Sequence, residues 1–302
     1  MFGKVKTLYF VGIGGAGMSG IAEILYNLGY QIHGSDNTPS EITKYLQRLG
    51  INIFADHKAA NLENIDVVVI SSAVGEDNPE VVEARRRGIP VIKRAEMLGE
   101  LMRLKYSIGV AGTHGKTSTT SMIGRILLTG EYRPTLIVGG VVAGLGTGAA
   151  LGSGEYLVAE ADEYDRSFLS MFPTVAVVTN LEADHLDCYD DLTDLTDSFV
   201  TYMNRVPFYG SVIISADDSN LAAIKNRITR PYQTFGFDIE ADYRALNIEQ
   251  QAERTTFSVY HKGDLLGEII LKVPGMYNVA NAMAAVATCY ELDVPFETIA
   301  DG

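Results

Sequence analysis

The sequence contains little cysteine, and the two cysteines that it has form no pattern. Cys188 and Cys289 lie far apart in the 302 residues and outside the spacing of any metal-binding motif. A small disulfide-stabilised domain or a zinc module needs more cysteines at closer spacings. The composition therefore excludes those classes and fits a reducing compartment, so we expect a cytoplasmic protein.

Positive charge is also scarce. The chain has 24 lysines and arginines against 38 aspartates and glutamates, which gives a net charge of -14, and it has no basic tract. Binding to nucleic acid depends mainly on lysine and arginine contacts with phosphates, so we expect no nucleic-acid partner. The acidic surplus favours solubility and leaves the oligomeric state open.

Long apolar runs without interruption are missing as well. The first 15 residues contain two lysines and an apolar stretch, but glycines break it and no small-residue cleavage site follows, so we expect no export signal. Residues 134–154 are uncharged over the length of a membrane span, yet seven of these 21 residues are glycine. We expect a strand that leads into a glycine-rich loop there, and no contact with a membrane.

Short apolar runs alternate with helical patterns along the chain, which is typical of α/β folds built on parallel sheets. The pattern restarts near residue 107, so we expect two domains, over residues 1–106 and 107–302. Within the second domain, 255–260 and 268–273 have the pattern of antiparallel strands, and a helix is expected over 278–291.

One glycine-rich motif carries most of the functional information. Gly112-Thr113-His114-Gly115-Lys116-Thr117 follows an apolar strand at 107–111 and precedes a helical run that starts near Ser118. In such a loop, backbone N–H groups surround a polyphosphate, the lysine reaches the terminal phosphates, and the threonine hydroxyl ligates Mg²⁺. The longer form of the motif has glycine where this chain has Val110, whereas the shorter form is complete. The sequence therefore predicts a nucleoside triphosphate site.

A second glycine motif, at residues 12–20, also lies between a strand and a helix. Asp36 ends the next strand. This arrangement is typical of dinucleotide sites in which the carboxylate binds a ribose hydroxyl. A nucleotide sugar offers the same diphosphate to the helix N-terminus, so both ligands stay open at this stage.

Two acidic stretches follow predicted strands, at 160–165 and 180–187. The carboxyl ends of parallel strands share one edge of a sheet, and the phosphate loop belongs to that edge too. Glu160 and His185 are therefore candidates to hold Mg²⁺ against a terminal phosphate. The alternative is that these acidic residues only cap helices and face water.

The ordered motifs resemble the Mur ligases, the ATP-dependent enzymes that build the peptide stem of bacterial cell-wall precursors. The resemblance is carried by residues 12–20 (GIGGAGMSG), 34–36 (GSD), 94–98 (RAEML), 112–117 (GTHGKT), 160–163 (EADE), 184–187 (DHLD) and 274–281 (PGMYNVAN). Within the family, the match is best with the branch that joins L-alanine to UDP-N-acetylmuramate.

The resemblance implies a domain organisation and a reaction. It implies a Rossmann-like domain for UDP-N-acetylmuramate over 1–106, a central P-loop ATPase domain over 107–302, and a C-terminal domain that this chain does not contain, so we expect the fragment to be inactive alone. In the family, the lactyl carboxylate attacks the γ-phosphate of ATP, and the resulting acyl phosphate reacts with the alanine amine.

The resemblance also implies roles for individual residues. Lys116, Glu160 and His185 would be catalytic, and Thr117, Glu160 and His185 would bind Mg²⁺. The ATP site would comprise Gly112, Thr113, His114, Gly115, Lys116, Thr117, Ser118, Asn278 and Asn281, with both asparagines on the first turn of a helix. The UDP-sugar site would comprise Gly14, Gly15, Ala16, Gly17, Asp36, Ser71 and Ser72.

The chain departs from the family pattern in a way that favours the alanine-adding branch. Later-acting members carry a carbamylated lysine near the position of Val200, and this chain has no lysine between Lys116 and Lys225. Tyr277 stands where the family often has histidine.

Three other functions remain open for the chain. They are a recycling ligase that attaches a whole peptide to UDP-N-acetylmuramate, an NAD-dependent oxidoreductase, and a non-catalytic nucleotide-binding module.

Overall fold

The computed structural model of the chain describes residues 3–138, 149–183 and 188–302. Their contacts divide the chain into two compact units, Met1–Leu104 with Ile137–Leu151, and Lys105–Leu136 with Gly152–Gly302. Residues 137–138 and 149–151 thus group with the first unit, whereas the sequence prediction places them in the second domain.

The first unit is built on a parallel sheet of order β3-β2-β1-β4-β5. Its elements are β1 (Thr7–Val11), α1 (Ala16–Asn27), β2 (Gln31–Ser35), α2 (Glu41–Leu49), β3 (Asn52–Phe54), β4 (Val67–Ile70), α3 (Pro79–Arg86), β5 (Val91–Lys93) and α4 (Arg94–Met102). The strand order reverses direction between β1 and β4, so the loop after β1 lies at the switch point where such sheets bind ligands.

Local sequence signals set the helix boundaries in this unit. The Ser40 side chain accepts a hydrogen bond from the backbone N–H of Thr43 and starts α2, and Gly50 ends it with a φ of 103°. Asn78 caps α3, whose first residue is a proline that needs no hydrogen-bond partner.

The second unit contains a larger mixed sheet. The remaining elements of the chain are β6 (Tyr106–Ala111), α5 (Lys116–Thr129), β7 (Thr135–Ile137), β8 (Ala149–Ala150, within the first unit), β9 (Tyr156–Glu160), β10 (Val175–Val178), α6 (Leu192–Asn204), β11 (Ser211–Ser215), α7 (Ser219–Ile224), β12 (Tyr232–Gly236), β13 (Tyr243–Gln250), β14 (Thr255–His261), β15 (Asp264–Leu271), α8 (Met276–Glu291) and α9 (Phe296–Asp301). Strands run in the order β15-β14-β13-β12-β11-β10-β6-β9-β7.

Strand direction in this sheet follows the sequence pattern. The strands from β9 through β6, β10, β11 and β12 are parallel, whereas β14 pairs antiparallel with both β13 and β15. The antiparallel pair of β14 and β15 was predicted from the sequence. The predicted α/β fold class is confirmed.

Helix α8 packs in the core against α5 and is buried along most of its length. The two helices therefore hold each other in position beside the end of β6. None of the helices within the described ranges combines the length and the apolar character that crossing a bilayer requires.

Candidate functional site

Three parallel strands of the second unit end side by side. Strand β6 lies between β10 and β9 in the sheet, and the loop at residues 112–115 follows it directly. Residues after β9 and after β10 therefore flank this loop on its two sides, as the sequence predicted for the two acidic stretches.

The loop is fixed by the segment that follows β10. The backbone N–H of His114 donates to Asn180 Oδ1 at 2.8 Å, and Thr179 Oγ1 and Asn180 Nδ2 donate to the His114 carbonyl at 2.6 and 2.9 Å. The Glu182 N–H donates to Thr113 Oγ1 at 2.9 Å. Because both loop residues are tied to a neighbouring strand end, the loop conformation is set in advance of any ligand.

The two glycines of the loop cannot be replaced without a collision. Gly112 has a φ of +131°, and a Cβ there would lie 2.1 Å from Thr179 Oγ1; Gly115 has a φ of +85°, and a Cβ there would lie 2.3 Å from Asn281 Oδ1. Helix α5 begins at the next residue, so the loop leads straight into a helix N-terminus, which attracts anions.

Lys116 of this loop forms an ion pair with a buried carboxylate. Its Nζ donates to the Gly112 carbonyl at 2.7 Å and to Glu163 Oε2 and Oε1 at 2.8 and 3.0 Å. The Glu163 side chain is 2% exposed. Glu163 was predicted only as part of an acidic stretch, because a contact between residues 47 positions apart has no local sequence pattern.

Glu160 is the last residue of β9, beside the loop. Its Oε1 is buried and has no hydrogen-bond partner among the residues that the structure describes. A buried carboxylate oxygen without a partner is costly, and a cation satisfies it. Carboxylate oxygen is also a preferred ligand of Mg²⁺. Glu160 therefore fits a metal ligand.

The rest of the predicted metal site is only partly placed. Thr117 is exposed in the first turn of α5, close to the loop, whereas His185 lies outside the described residues. Within those residues no cluster of three or more potential metal ligands occurs. The pairing of Glu160 with His185 stays a prediction.

A cavity of about 760 Å³ opens beside the start of α5. Thr117, Ser118 and Asn278 line it together with apolar residues of α8 and β15, and its volume suits a small-molecule ligand such as a nucleoside. Asn278 donates from Nδ2 to the Pro274 carbonyl at 2.7 Å. Asn281 lies apart from the cavity, against Gly115, and in the second turn of α8 rather than the first, because the helix starts at Met276.

In the first unit, Asp36 holds the glycine loop after β1. Its Oδ2 accepts from the Gly14 N–H at 2.8 Å, and its Oδ1 accepts from the Thr38 N–H at 2.9 Å. A Cβ on Gly14 would lie 2.8 Å from the same carboxylate. The structure thus shows Asp36 positioning the loop, and its contact with a ligand stays a prediction.

Arg94 lies at the first turn of α1. A Cβ on Gly17 would come within 2.9 Å of Arg94 Nη1, so glycine is required for this close approach. The half-buried guanidinium has no hydrogen-bond or ion-pair partner among the described residues. Ser71 Oγ lies 3.5 Å from the Cβ position of Gly12, while Ser72 is exposed. Gly15 is the N-cap of α1, and Ala16 is its first residue.

A buried polar network supports this loop from within the sheet. Glu80 is fully buried and accepts hydrogen bonds from Tyr9 Oη at 2.6 Å, Ser35 Oγ at 2.6 Å and Asn61 Nδ2 at 2.8 Å, with His57 Nδ1 at 3.1 Å. Burial, together with the hydrogen bond to Glu80, raises the pKa of Tyr9 well above its usual range. The Ser35 carbonyl accepts from the N–H groups of residues 12 and 13, so the network reaches the loop.

Two family models match the chain. The Mur ligase family, catalytic domain, matches residues 7–106, and the Mur ligase middle domain matches residues 110–289. A UDP-N-acetylmuramate--L-alanine ligase of Geobacter sp. (strain M21) is 55% identical over 302 residues, and one of Geotalea uraniireducens (strain Rf4) is 53% identical. Each comparison covers the whole of this chain and 66% of the relative, so the chain spans about two thirds of these relatives' length.

The chain is also similar to solved structures of ligases that act on UDP-N-acetylmuramate. The UDP-N-acetylmuramate-alanine ligase of Thermotoga maritima is 31% identical with a TM-score of 0.84, over 98% of this chain and 67% of that one. The UDP-N-acetylmuramate:L-alanyl-gamma-D-glutamyl-meso-diaminopimelate ligase of Neisseria meningitides is 28% identical with a TM-score of 0.88, over 98% and 97% of the two chains.

Proposed function

Because the chain belongs to the Mur ligase family, we propose that it acts in the cytoplasm as an ATP-dependent ligase that joins L-alanine to UDP-N-acetylmuramate. The observation that carries the proposal is the edge where β9, β6 and β10 end, which brings the lysine of a phosphate loop together with the unpartnered carboxylate of Glu160. The 55% identity to an alanine-adding relative supports the choice of substrate.

The second unit supplies what an ATP site requires. The backbone of residues 112–115 and the N-terminus of α5 would bind the phosphates, and Lys116 would neutralise charge on the β- and γ-phosphates. The cavity beside Thr117, Ser118 and Asn278 would take the nucleoside. The lactyl carboxylate then attacks the γ-phosphorus and ADP leaves; the alanine amine attacks the acyl carbon, phosphate leaves and a proton is released.

Glu160 and Thr117 would hold Mg²⁺ in this site, with His185 as the further ligand predicted from the sequence. Bound there, Mg²⁺ would reduce the repulsion between the attacking carboxylate and the γ-phosphate. The chain's own contribution is a buried carboxylate oxygen of Glu160 that has no hydrogen-bond partner in the described part of the chain.

Replacing Glu160 by glutamine should remove the effect of Mg²⁺ on nucleotide binding. Calorimetric titration with a non-hydrolysable ATP analogue should show at least about tenfold tighter binding with Mg²⁺ than without it for the unmodified chain, and little difference for Glu160→Gln. Without Mg²⁺, Glu160→Gln should bind the analogue at least as tightly as the unmodified chain, because the variant lacks a carboxylate that repels the phosphates. Full retention of the Mg²⁺ effect in Glu160→Gln would show that this carboxylate is not a ligand.

The first unit would bind the UDP part of the sugar nucleotide. Backbone N–H groups of Gly14, Gly15, Ala16 and Gly17, at the start of α1, would face the diphosphate, with Ser71 and Ser72 nearby. Arg94 adds a positive charge beside the same turn, and no residue in the described ranges pairs with it. A guanidinium is well suited to this role because it donates in a planar, bidentate geometry to phosphate oxygens.

Replacing Arg94 by alanine should weaken binding of UDP-N-acetylmuramate about tenfold to a hundredfold, the loss expected for one charge-assisted hydrogen bond. Calorimetry with the sugar nucleotide measures the effect, and affinity for the ATP analogue should not change. Arg48→Ala is the matched control, because Arg48 is an exposed arginine of the same unit. Equal affinity of Arg94→Ala and the unmodified chain would exclude the contact.

A recycling ligase that attaches a peptide to the same sugar nucleotide is the second candidate. The structure from Neisseria meningitides favours it, with a TM-score of 0.88 and nearly complete coverage of both chains. Sequence identity favours L-alanine as the acceptor, because the relative from Geobacter sp. (strain M21) is 55% identical to this chain and the protein from Neisseria meningitides is 28% identical. Phosphate release from ATP and UDP-N-acetylmuramate distinguishes the two, measured with L-alanine and with the tripeptide as acceptor after the C-terminal domain that the resemblance implies has been restored.

A further inference from the structure

The Lys116 ammonium is already bound by protein oxygens. Its Nζ donates to the Gly112 carbonyl at 2.7 Å and to the Glu163 carboxylate, whose two oxygens lie at 2.8 and 3.0 Å, with the Thr113 carbonyl as a longer contact at 3.4 Å. An ammonium has three hydrogens to donate. A phosphate oxygen that approaches Lys116 therefore competes with these protein oxygens for the ammonium.

Glu163 cannot follow the lysine if it moves. The carboxylate is almost completely buried, and the backbone carbonyl of the same residue accepts from Tyr189 Oη at 2.5 Å and from the Arg166 N–H at 3.0 Å. Tyr189 is itself buried. Lys116, in contrast, carries its charge on a flexible four-carbon chain. The lysine is the mobile partner of the pair.

The bond to Glu163 is also the one that a triphosphate opposes most strongly. The Gly112 carbonyl is neutral, whereas the Glu163 carboxylate carries the same sign of charge as the phosphates and would lie within a few ångströms of them. Like charges at such distances in a partly buried site repel each other strongly. Glu163 and the triphosphate thus compete for one ammonium.

We propose that Glu163 limits nucleotide affinity by holding Lys116 in a resting ion pair that competes with the triphosphate for the ammonium. The inference rests on the proposed function, since it takes ATP as the ligand. The pair has a structural benefit when nucleotide is absent, because it gives the buried Glu163 carboxylate a counter-charge. Glu163 acts through Lys116 and is a positioning residue rather than a catalytic one.

The test is a calorimetric titration of the 302-residue chain and its Glu163→Gln variant with a non-hydrolysable ATP analogue and Mg²⁺. Glutamine keeps the shape and one acceptor oxygen but removes the charge, so the dissociation constant for the analogue should fall about tenfold. AMP should bind both proteins equally, because its single phosphate does not reach Lys116. A dissociation constant for the analogue that is unchanged or higher would overturn the inference.

Two further variants separate this effect from general ones. Asp162→Asn makes the same change of charge one residue away, at a carboxylate that accepts from the Tyr164 N–H and not from Lys116, and it should bind the analogue as the unmodified chain does. Glu163→Asp retracts the charge without removing it and should tighten binding about threefold. If thermal unfolding shows that Glu163→Gln does not fold, the Glu163→Asp variant still tests the inference. Weaker binding of the analogue by Glu163→Asp would then overturn it. Failure of the unmodified chain to bind the analogue would instead contradict the proposed function.

Discussion

Replacement of Lys116 by methionine should weaken binding of an ATP analogue by at least about a hundredfold, the effect of losing charge-assisted bonds to two phosphates. Methionine has a similar apolar stem, so packing along the stem is largely kept. Glu163 would remain, buried and facing the phosphates without its counter-charge. The same change should therefore also lower the free energy of unfolding, by about 3 kcal/mol.

Calorimetry with the analogue and urea unfolding measure the two effects. Lys262→Met, in the turn between β14 and β15, is the control and should change neither quantity appreciably. The double variant Lys116→Met/Glu163→Gln should regain most of the stability but not the affinity, because no buried charge is left unpaired. Wild-type affinity in Lys116→Met would contradict the assignment of the phosphate loop.

Replacement of Glu80 by alanine should lower the free energy of unfolding of the first unit by about 3–5 kcal/mol. The change leaves the Tyr9 hydroxyl, the Ser35 hydroxyl and the Asn61 amide without their acceptor and adds a cavity. Urea unfolding measures the loss. Because Ser35 supports the loop at residues 12–15, affinity for UDP-N-acetylmuramate should fall as well.

Two comparisons make this second prediction specific. Glu80→Gln keeps the shape and one acceptor oxygen and should lose less stability than alanine. Glu63→Ala removes an exposed carboxylate of the same unit and should change stability by no more than about 0.5 kcal/mol. A loss below about 1 kcal/mol in Glu80→Ala would show that the network contributes little to stability.

The parts of the fold that the sequence predicted are those with a strong local pattern. Strands such as Ser211–Ser215 are short apolar runs, since both faces of a parallel sheet are covered. Strands Asn52–Phe54 and Tyr243–Gln250 were not predicted. The first is an edge strand of three residues, which is too short for a recognisable apolar run. The second is half exposed, so it has no continuous apolar run, and its pairing with β14 contains a register shift.

In the candidate site, too, the features with a local sequence pattern were predicted and the contacts between distant segments were not. The glycines at 112 and 115 were recognisable because a tight loop between a strand and a helix needs their positive φ values. The pairs Lys116 with Glu163, Gly14 with Asp36, and Gly17 with Arg94 depend on how distant segments meet. No spacing rule along the chain encodes such contacts, so only the three-dimensional structure identified them.

The most direct test of the central claim is calorimetric titration of the folded chain with UDP-N-acetylmuramate. The account predicts saturable binding of one molecule per chain, which Arg94→Ala weakens and Lys116→Met leaves unchanged. A folded sample that does not bind this sugar nucleotide, or that binds NAD in its place, would contradict the account.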